Sequence, residues 1–326
     1  MKVQHILFEF IEAEPIWEYR LDIRDTHLLK SLEIKGVLSP FILVQQKNKF
    51  CLIDGFKRYR FFRNRTVSTI PAMLYSEENV EDAFFHGIIL NETQRPLSVI
   101  EKSQVAKILH QFEKEEYRDK IYDFLGIPNK KRFTQKYLHI NKLPHYAKKY
   151  FHEFQFSLRQ IERILPSSIS KLKEWIKLSY SLRLKAQEFV NLVEILSDIS
   201  LRENVSVDIL YHEFKISEFL DTDWTIQQKA SHLKRHLHQI RYPLLSRIHK
   251  NVEEHITKLK KATTLPMEIH WDKTLERPGY SLLFYLEHKE KIKELQELIL
   301  NRRFEKDLEK LFKILINSLE EIDEAP

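Results

Sequence analysis

Apolar positions change their period several times along the first hundred residues. In THLLKSLEIKGVLSP (26–40), Leu28, Leu29 and Leu32 recur at helical spacing and the run stops at Gly36, a residue suited to a helix C-cap. FILVQQ (41–46) and FCLID (50–54) are short apolar runs on either side of the polar stretch QKNK, the pattern of a hairpin or of neighbouring strands. STIPAMLY (68–75) predicts a third strand, and VEDAFFHGIILNE (80–92) returns to helical spacing.

From Leu97 the pattern is helical almost to residue 265. Ser98 and Glu101 make a capping box ahead of a stripe formed by Val99, Ile100, Val105, Ile108, Leu109 and Phe112. Thr225 and Gln228 make a second box, so the preceding DTD (221–223) is a helix entry rather than a metal loop. PMEIHWD (266–272) and YSLLFYLEH (280–288) predict a hairpin, and from Lys289 one amphipathic helix is expected to about Ile322. Phe304, Leu308, Leu311 and Leu315 step by 4, 3 and 4, a packing seam that serves either a dimer or an intrachain core.

Length and charge sharpen this outline. A chain of 326 residues holds two or three domains with cores of useful size. Net charge is +6, but residues 102–188 carry 19 Lys and Arg against 9 Asp and Glu while both flanks are close to neutral. A basic middle segment is the footprint of a nucleic-acid-binding module, or of solvated helix faces. The one cysteine, Cys51, excludes an intrachain disulfide. There is no run of eighteen apolar residues and no secretory pattern at the N-terminus, so a bacterial-type cytoplasm is expected, without a membrane partner.

Two clusters carry candidate chemistry near the front. In LIDGFKRYR (52–60) a strand ends in Gly55 and is followed by a basic helical turn with Lys57, Arg58 and Arg60. A missing Cβ, outward N–H groups and cationic side chains together can hold phosphate, although the same pattern also makes an ordinary turn. In IILNETQRPLSVIE (88–101), Asn91, Glu92 and Arg95 lie within little more than a helical turn. Asn and Glu can ligate Mg²⁺ through oxygen and Arg can take phosphate bidentately; a capped surface loop is the plainer use.

The basic middle offers a second motif. Tyr117, Ile121, Phe124 and Leu125 form one helical stripe, Gly126 permits a turn, and Phe133, Tyr137 and Ile140 form the buried face of a helix beginning near Asn129. On its other side Lys131, Gln135 and His139 are spaced by four, flanked by Lys130, Arg132 and Lys136. A helix-turn-helix presents such a row to a DNA major groove; a helical hairpin with a wet basic face has the same pattern. Lys148 and Lys149 would add backbone contacts. His232 and His236, four apart, lack a third ligand and read as a solvated basic face.

In order and spacing, LLKSLEIKGVLSPFILVQ, LIDGFKRYRFFRN, STIPAMLY and LNETQRPLSVIEKSQVAKIL resemble the N-terminal domain of ParB-type chromosome and plasmid partition proteins, over about residues 20–110. The resemblance implies an α+β ParB/sulfiredoxin-like domain that binds CTP with Mg²⁺, followed by an all-α helix-turn-helix domain on double-stranded DNA. FLGI, NKKRFTQKYLHINKLP and YFHEFQFSLRQIERIL follow that second plan, with Gly126 to Pro144 about two residues longer than usual. Carried over residue by residue, Gly55 and Arg58 match one box of the family, in which Lys57 stands where Arg is usual, and Arg95 matches another, while Ser39 and Pro40 occupy its Gln-Pro turn. Phe56 stands where Glu is usual, Ser39 where Gln is usual, and Asn91-Glu92 reverses the family's Glu-Asn order.

The nucleotide set implied is therefore Ser39, Pro40, Gly55, Phe56, Lys57, Arg58, Asn91, Glu92 and Arg95, with Asn91 and Glu92 as metal ligands and hydrolysis weak or absent. The DNA set is Lys130, Lys131, Arg132, Gln135, Lys136 and His139. Sulfiredoxin chemistry is not expected, because Phe56 occupies the nucleophile's place and Cys51 lies in an apolar run; a free-serine kinase would need histidines this box lacks. The expected organisation is a nucleotide domain over 1–100, a helix-turn-helix domain over 101–165, a helical extension over 166–265 and a small ββα unit over 266–326 that forms a homodimer. A ParA-type ATPase is the weaker partner expectation, since the basic tail that engages it in many relatives is missing. The alternatives are a transcriptional or nucleoid-associated regulator with an inactive pocket, and a small-molecule kinase or nuclease on the same fold.

Overall fold

The computed structural model describes residues 2–21, 26–165, 172–205, 220–277 and 279–323, together with 209 and 218, and side chains as far as 317. Parts of the expected helical extension, at 166–171 and most of 206–219, lie outside the described residues. The chain forms two compact units, Met1–Glu194 and Ile195–Pro326, a division that does not follow the four-part organisation expected above.

The first unit is built on a mixed five-stranded sheet in the order β1-β5-β3-β4-β2. Its strands are β1 (Val3–Leu7), β2 (Ile11–Glu12), β3 (Phe41–Gln46), β4 (Lys49–Asp54) and β5 (Thr69–Ser76). The expected hairpin is β3 and β4, antiparallel with Leu43 opposite Leu52 and Val44 opposite Cys51. β5 joins β3 in parallel, Leu43 opposite Leu74.

Alternation along the two central strands sends side chains into two cores. Phe41, Leu43 and Leu52 pack with Leu32 of α1 (Thr26–Lys35) and with Phe61 and Phe62 of α2 (Phe56–Phe62). Ile42, Val44, Cys51 and Ile53 face the other way, onto Ala83, Phe84 and Ile88 of α3 (Val80–Gln94). With both faces covered, polar residues have no place in the middle of these strands, which is why they read as unbroken apolar runs.

The second core continues without a break into α4 (Val99–Leu109), α5 (Glu115–Phe124) and α6 (Lys131–Asn141) through Val105, Leu109, Ile121 and Tyr137. A boundary at residue 100 thus falls inside one core. The Ser98–Glu101 box is present, its hydroxyl accepting the Glu101 N–H at 3.2 Å. The unit is completed by α7 (His145–Glu153), α8 (Leu158–Ile164), α9 (Leu172–Leu182) and the first half of α10 (Ala186–Glu203).

In the second unit, α11 (Ile226–Arg241) begins at the Thr225–Gln228 box and passes through Tyr242 into α12 (Pro243–Lys261). β6 (Met267–Trp271) and β7 (Tyr280–Phe284) make the expected antiparallel hairpin. The single terminal helix expected from Lys289 is instead two, α13 (Lys291–Ile299) and α14 (Arg302–Asp323). The break falls at Asn301, whose side-chain oxygen accepts the Arg303 N–H at 2.9 Å and starts the second helix as an N-cap. Phe304, Leu311 and Leu315 of the seam are buried against Ile248, Val252 and Leu259, so the seam serves an intrachain core.

Candidate functional site

The two front clusters meet. Asp54 ends β4, Gly55 follows at φ +111°, and the last turn of α3 brings Asn91 alongside, so that Asn91 Nδ2 donates to Asp54 Oδ1 at 2.6 Å. The close approach of α3 depends on Gly87, where a Cβ would stand 3.3 Å from that of Asp54. Around this junction lies a cleft of about 420 Å³, lined among others by Ser39, Gly55, Phe56, Lys57, Asn91 and Arg95. Its volume lies in the range of small-molecule sites.

Much of the positive charge in the glycine segment is committed to structure. Arg58 is a strut: Nη2 donates to Asp54 Oδ2 at 2.9 Å, and Nη1 donates to the carbonyls of Ser39 and of Pro40, the latter at 3.2 Å. Burial lowers its pKa, against the pull of Asp54. Arg60 makes a two-pronged pair with Glu18, at 2.7 and 3.0 Å, and Arg65 lies over the Phe61 ring.

A guanidinium outside both motifs occupies the centre instead. Arg20 lines the cleft, donates through Nε to Asn91 Oδ1 at 3.1 Å and through Nη2 to the carbonyls of Asn91 and Arg95, and faces Glu101 at 3.4 Å. Glu101, with no exposed surface, also accepts from Arg95 at 2.6 Å and from the Ser98 N–H at 3.0 Å. Burial raises the pKa of this carboxyl, but the bonds from Arg95 and Ser98 and the charges of both arginines outweigh it and hold the group below its usual range. Ser98 Oγ is 2.7 Å from Nδ1 of His152, a buried imidazole whose pKa burial lowers despite Glu101 nearby. No local signal marks Arg20 or His152, because their partners lie some 50 to 80 residues away in sequence.

Asn91 and Glu92 engage different partners. Asn91 turns toward the cleft, where Nδ2 also donates to Tyr19 Oη and the Gly87 carbonyl. Glu92 does not line the cleft; its Oε2 accepts the Leu97 N–H at 2.7 Å. Asp54 and Glu101 are both held by guanidinium groups. Asn91 and Glu92 thus do not turn their side chains to one point of the cleft, and among the described residues there is no cluster of three or more His, Cys, Asp or Glu that could hold a metal. Cys51 is buried and its thiol is pushed up to about 12, chiefly by burial, which removes it as a nucleophile.

The second motif forms two helices, α5 and α6, joined by a turn with Gly126 at φ +66°. Tyr137 and Ile140 are buried as expected, Phe133 is half-buried, and Phe124 lies 40% exposed beside Phe85 rather than in the core. Lys130, Lys131, Arg132, Gln135 and His139 are exposed. Lys136 departs from that row: its Nζ pairs with Glu162 at 2.5 Å. Among the described residues no helix is long and apolar enough to cross a membrane.

Sheet, cores and cleft define a mixed α/β domain with a cationic cleft, continuous with a helical region. No family model and no curated protein matches the chain. Three solved structures resemble it loosely. The C-terminally truncated chromosome-partitioning protein ParB from Caulobacter crescentus, complexed with CTP-γ-S, is 20% identical over 53% of this chain and 98% of its own, with a TM-score of 0.26. The same protein complexed to the centromeric parS site is 17% identical over 59% and 98%, with a TM-score of 0.33. A Pnob8-like ParB-N domain is 17% identical over 56% and 87%, with a TM-score of 0.36. Likenesses this loose assign no ligand or partner to the chain.

Proposed function

We propose that the protein is a ParB-like, nucleotide-binding and DNA-binding protein of the partition type. The observation that carries the reading is the meeting of the two clusters at one cleft, where Arg20, Lys57, Arg58 and Arg95 outnumber the lining carboxylates of Glu18 and Asp54. Such a cleft receives the phosphates of a nucleotide, CTP by the resemblance of its boxes, with Lys57 and Arg95 as the cations that engage them. Magnesium accompanies the phosphates and is not held by Asn91 and Glu92. With Phe56 beside the glycine and both nearby carboxylates paired, hydrolysis is weak or absent.

The exposed residues of α6 make the DNA contacts in this proposal, and the second unit, with Ile299, Leu300 and Phe312 exposed, makes the homodimer. A cytoplasmic place at the bacterial nucleoid follows from the DNA partner. One observation favours a second reading, a DNA-binding regulator with a closed pocket: Arg58 and Asn91 already have their polar atoms engaged. Genome-wide mapping of bound DNA tests the function. A few sharp sites near a replication origin support partition, scattered promoters support the regulator, and no enrichment anywhere refutes both.

A further inference from the structure

The second unit carries a basic groove that neither front cluster nor α6 explains. Ser231, Lys234, Arg235 and His238, at helical spacing on α11, face Lys250, Lys258 and Lys261 on α12 across an open space of about 1330 Å³. Leu233 and Leu237 point away from it and are buried, as are Ile248, Val252, Ile256 and Leu259, so packing alone leaves the groove side free to carry any polar residue. Six of the residues found there are lysine or arginine, against two glutamates. Lys234, Arg235, Lys250, Lys258 and Lys261 are exposed and make no ion pair among the described residues, and only Glu253 and Glu254 oppose them. Partial burial lowers the pKa of His238, and His249, Arg241 and Lys234 lower it further.

An aromatic ring stands at the end of the groove. Trp224 lines an adjoining hollow that shares Ser231 and Arg235 with it, and is 43% exposed. The Thr225–Gln228 box fixes this position, since the Thr225 N–H donates to Gln228 at 2.9 Å and the Gln228 N–H to Thr225 Oγ1 at 3.3 Å. A residue just before an N-cap usually packs on the fourth helical residue as a hydrophobic staple, but that residue is Lys229. The indole instead tilts against His232, ring centroids 4.8 Å apart, and keeps surface open.

We infer that this groove binds single-stranded nucleic acid, with Lys234, Arg235, Lys250, Lys258 and Lys261 along the phosphates and Trp224 as a platform for a base. The span from Lys250 to Lys261 on α12 is about 16 Å, enough for several consecutive phosphates. A charged track with an exposed aromatic ring at its end matches a flexible strand whose bases are free to stack. A duplex or an acidic protein would account for the cations but would leave the ring unused.

The test is fluorescence anisotropy of the full chain with a fluorescein-labelled oligothymidylate. The expected result is salt-sensitive binding that Trp224→Ala weakens about tenfold, the loss of one stacked base, and that Trp224→Phe largely restores. Replacing Lys250, Lys258 and Lys261 by Ala should flatten the slope of log affinity against log salt by about 2, at roughly 0.7 per phosphate contact on a single strand. Replacing Lys130, Lys131 and Arg132 of α6 should leave this binding unchanged, which separates it from the DNA contacts proposed above. The inference is overturned by absence of oligothymidylate binding, by loss of it only in the α6 variant, or by an equal-length duplex competing equally well while Trp224→Ala changes nothing.

Discussion

Gly55→Ala isolates what the glycine at the head of the cleft does. Two costs arise there. At φ +111° an L side chain is in a region it rarely adopts, a cost of about 1–3 kcal/mol. The new Cβ would also stand 2.8 Å from Phe41 Cδ1 and 3.1 Å from Arg58 Nη2. Ordinary carbon contacts are about 3.5–4.0 Å. Phe41 is fully buried and cannot swing clear, so overpacking adds about 1–3 kcal/mol. Gly36→Ala is the control, since at φ +69° it bears a backbone cost of about 1–2 kcal/mol but meets nothing within 4 Å. Hydrogen exchange read by mass spectrometry over Phe41–Asp54 reports both. Gly55→Ala should accelerate exchange there about thirtyfold or more, the equivalent of about 2 kcal/mol at a factor of ten per 1.4 kcal/mol, and clearly beyond Gly36→Ala. Equal effects from the two substitutions would refute the steric half of the argument.

Glu101→Gln should destabilise the first unit by about 3 kcal/mol or more, because it leaves Arg20 and Arg95 facing a neutral amide; calorimetry showing less than about 1 kcal/mol would contradict the network. Burial lowers the pKa of His152 in the folded chain, so as pH falls below the ordinary value of about 6.5 the unfolded chain takes up the proton first and stability drops. The stability gap between wild type and His152→Gln should therefore narrow as pH falls through that range, and a gap independent of pH between 7 and 5 would count against it. With Lys136 tied to Glu162, replacing Lys130, Lys131 and Arg132 by Ala should flatten the salt slope for duplex DNA by about 3, and adding Lys136→Ala should contribute little more, as measured by anisotropy.

What the sequence discloses is mostly local. The β3–β4 hairpin, the Ser98 and Thr225 boxes and the β6–β7 hairpin rest on neighbouring residues and on one dominant period, and they stand where that period puts them. β1 escapes because it is an edge strand with only Ile6 buried, so it shows no alternation, and β2 is two residues long. The break at Asn301 is hidden by amphipathic spacing that persists on both sides; the asparagine itself was the available signal. At the cleft, Gly55 and Asn91 were legible as motif residues, whereas the role of Arg20 depends on Asn91 and Glu101, brought to it only by the fold. The same holds for Arg58, whose charge suggests a ligand contact and whose partners show a strut.

The central claim is that the cleft at Gly55 receives nucleotide phosphates through Lys57 and Arg95. Titrating fluorescent CTP against wild type, Lys57→Ala and Arg95→Ala, with and without Mg²⁺, addresses it directly, with calorimetry showing that each variant is folded at the assay temperature because Arg95 also holds Glu101; Arg58 is left intact because its removal would disturb the fold. The account predicts saturable binding by wild type, weakened about tenfold or more by either substitution, at about 1.5–3 kcal/mol for a hydrogen bond to a charged group. No uptake by wild type, or uptake indifferent to both substitutions, would contradict it.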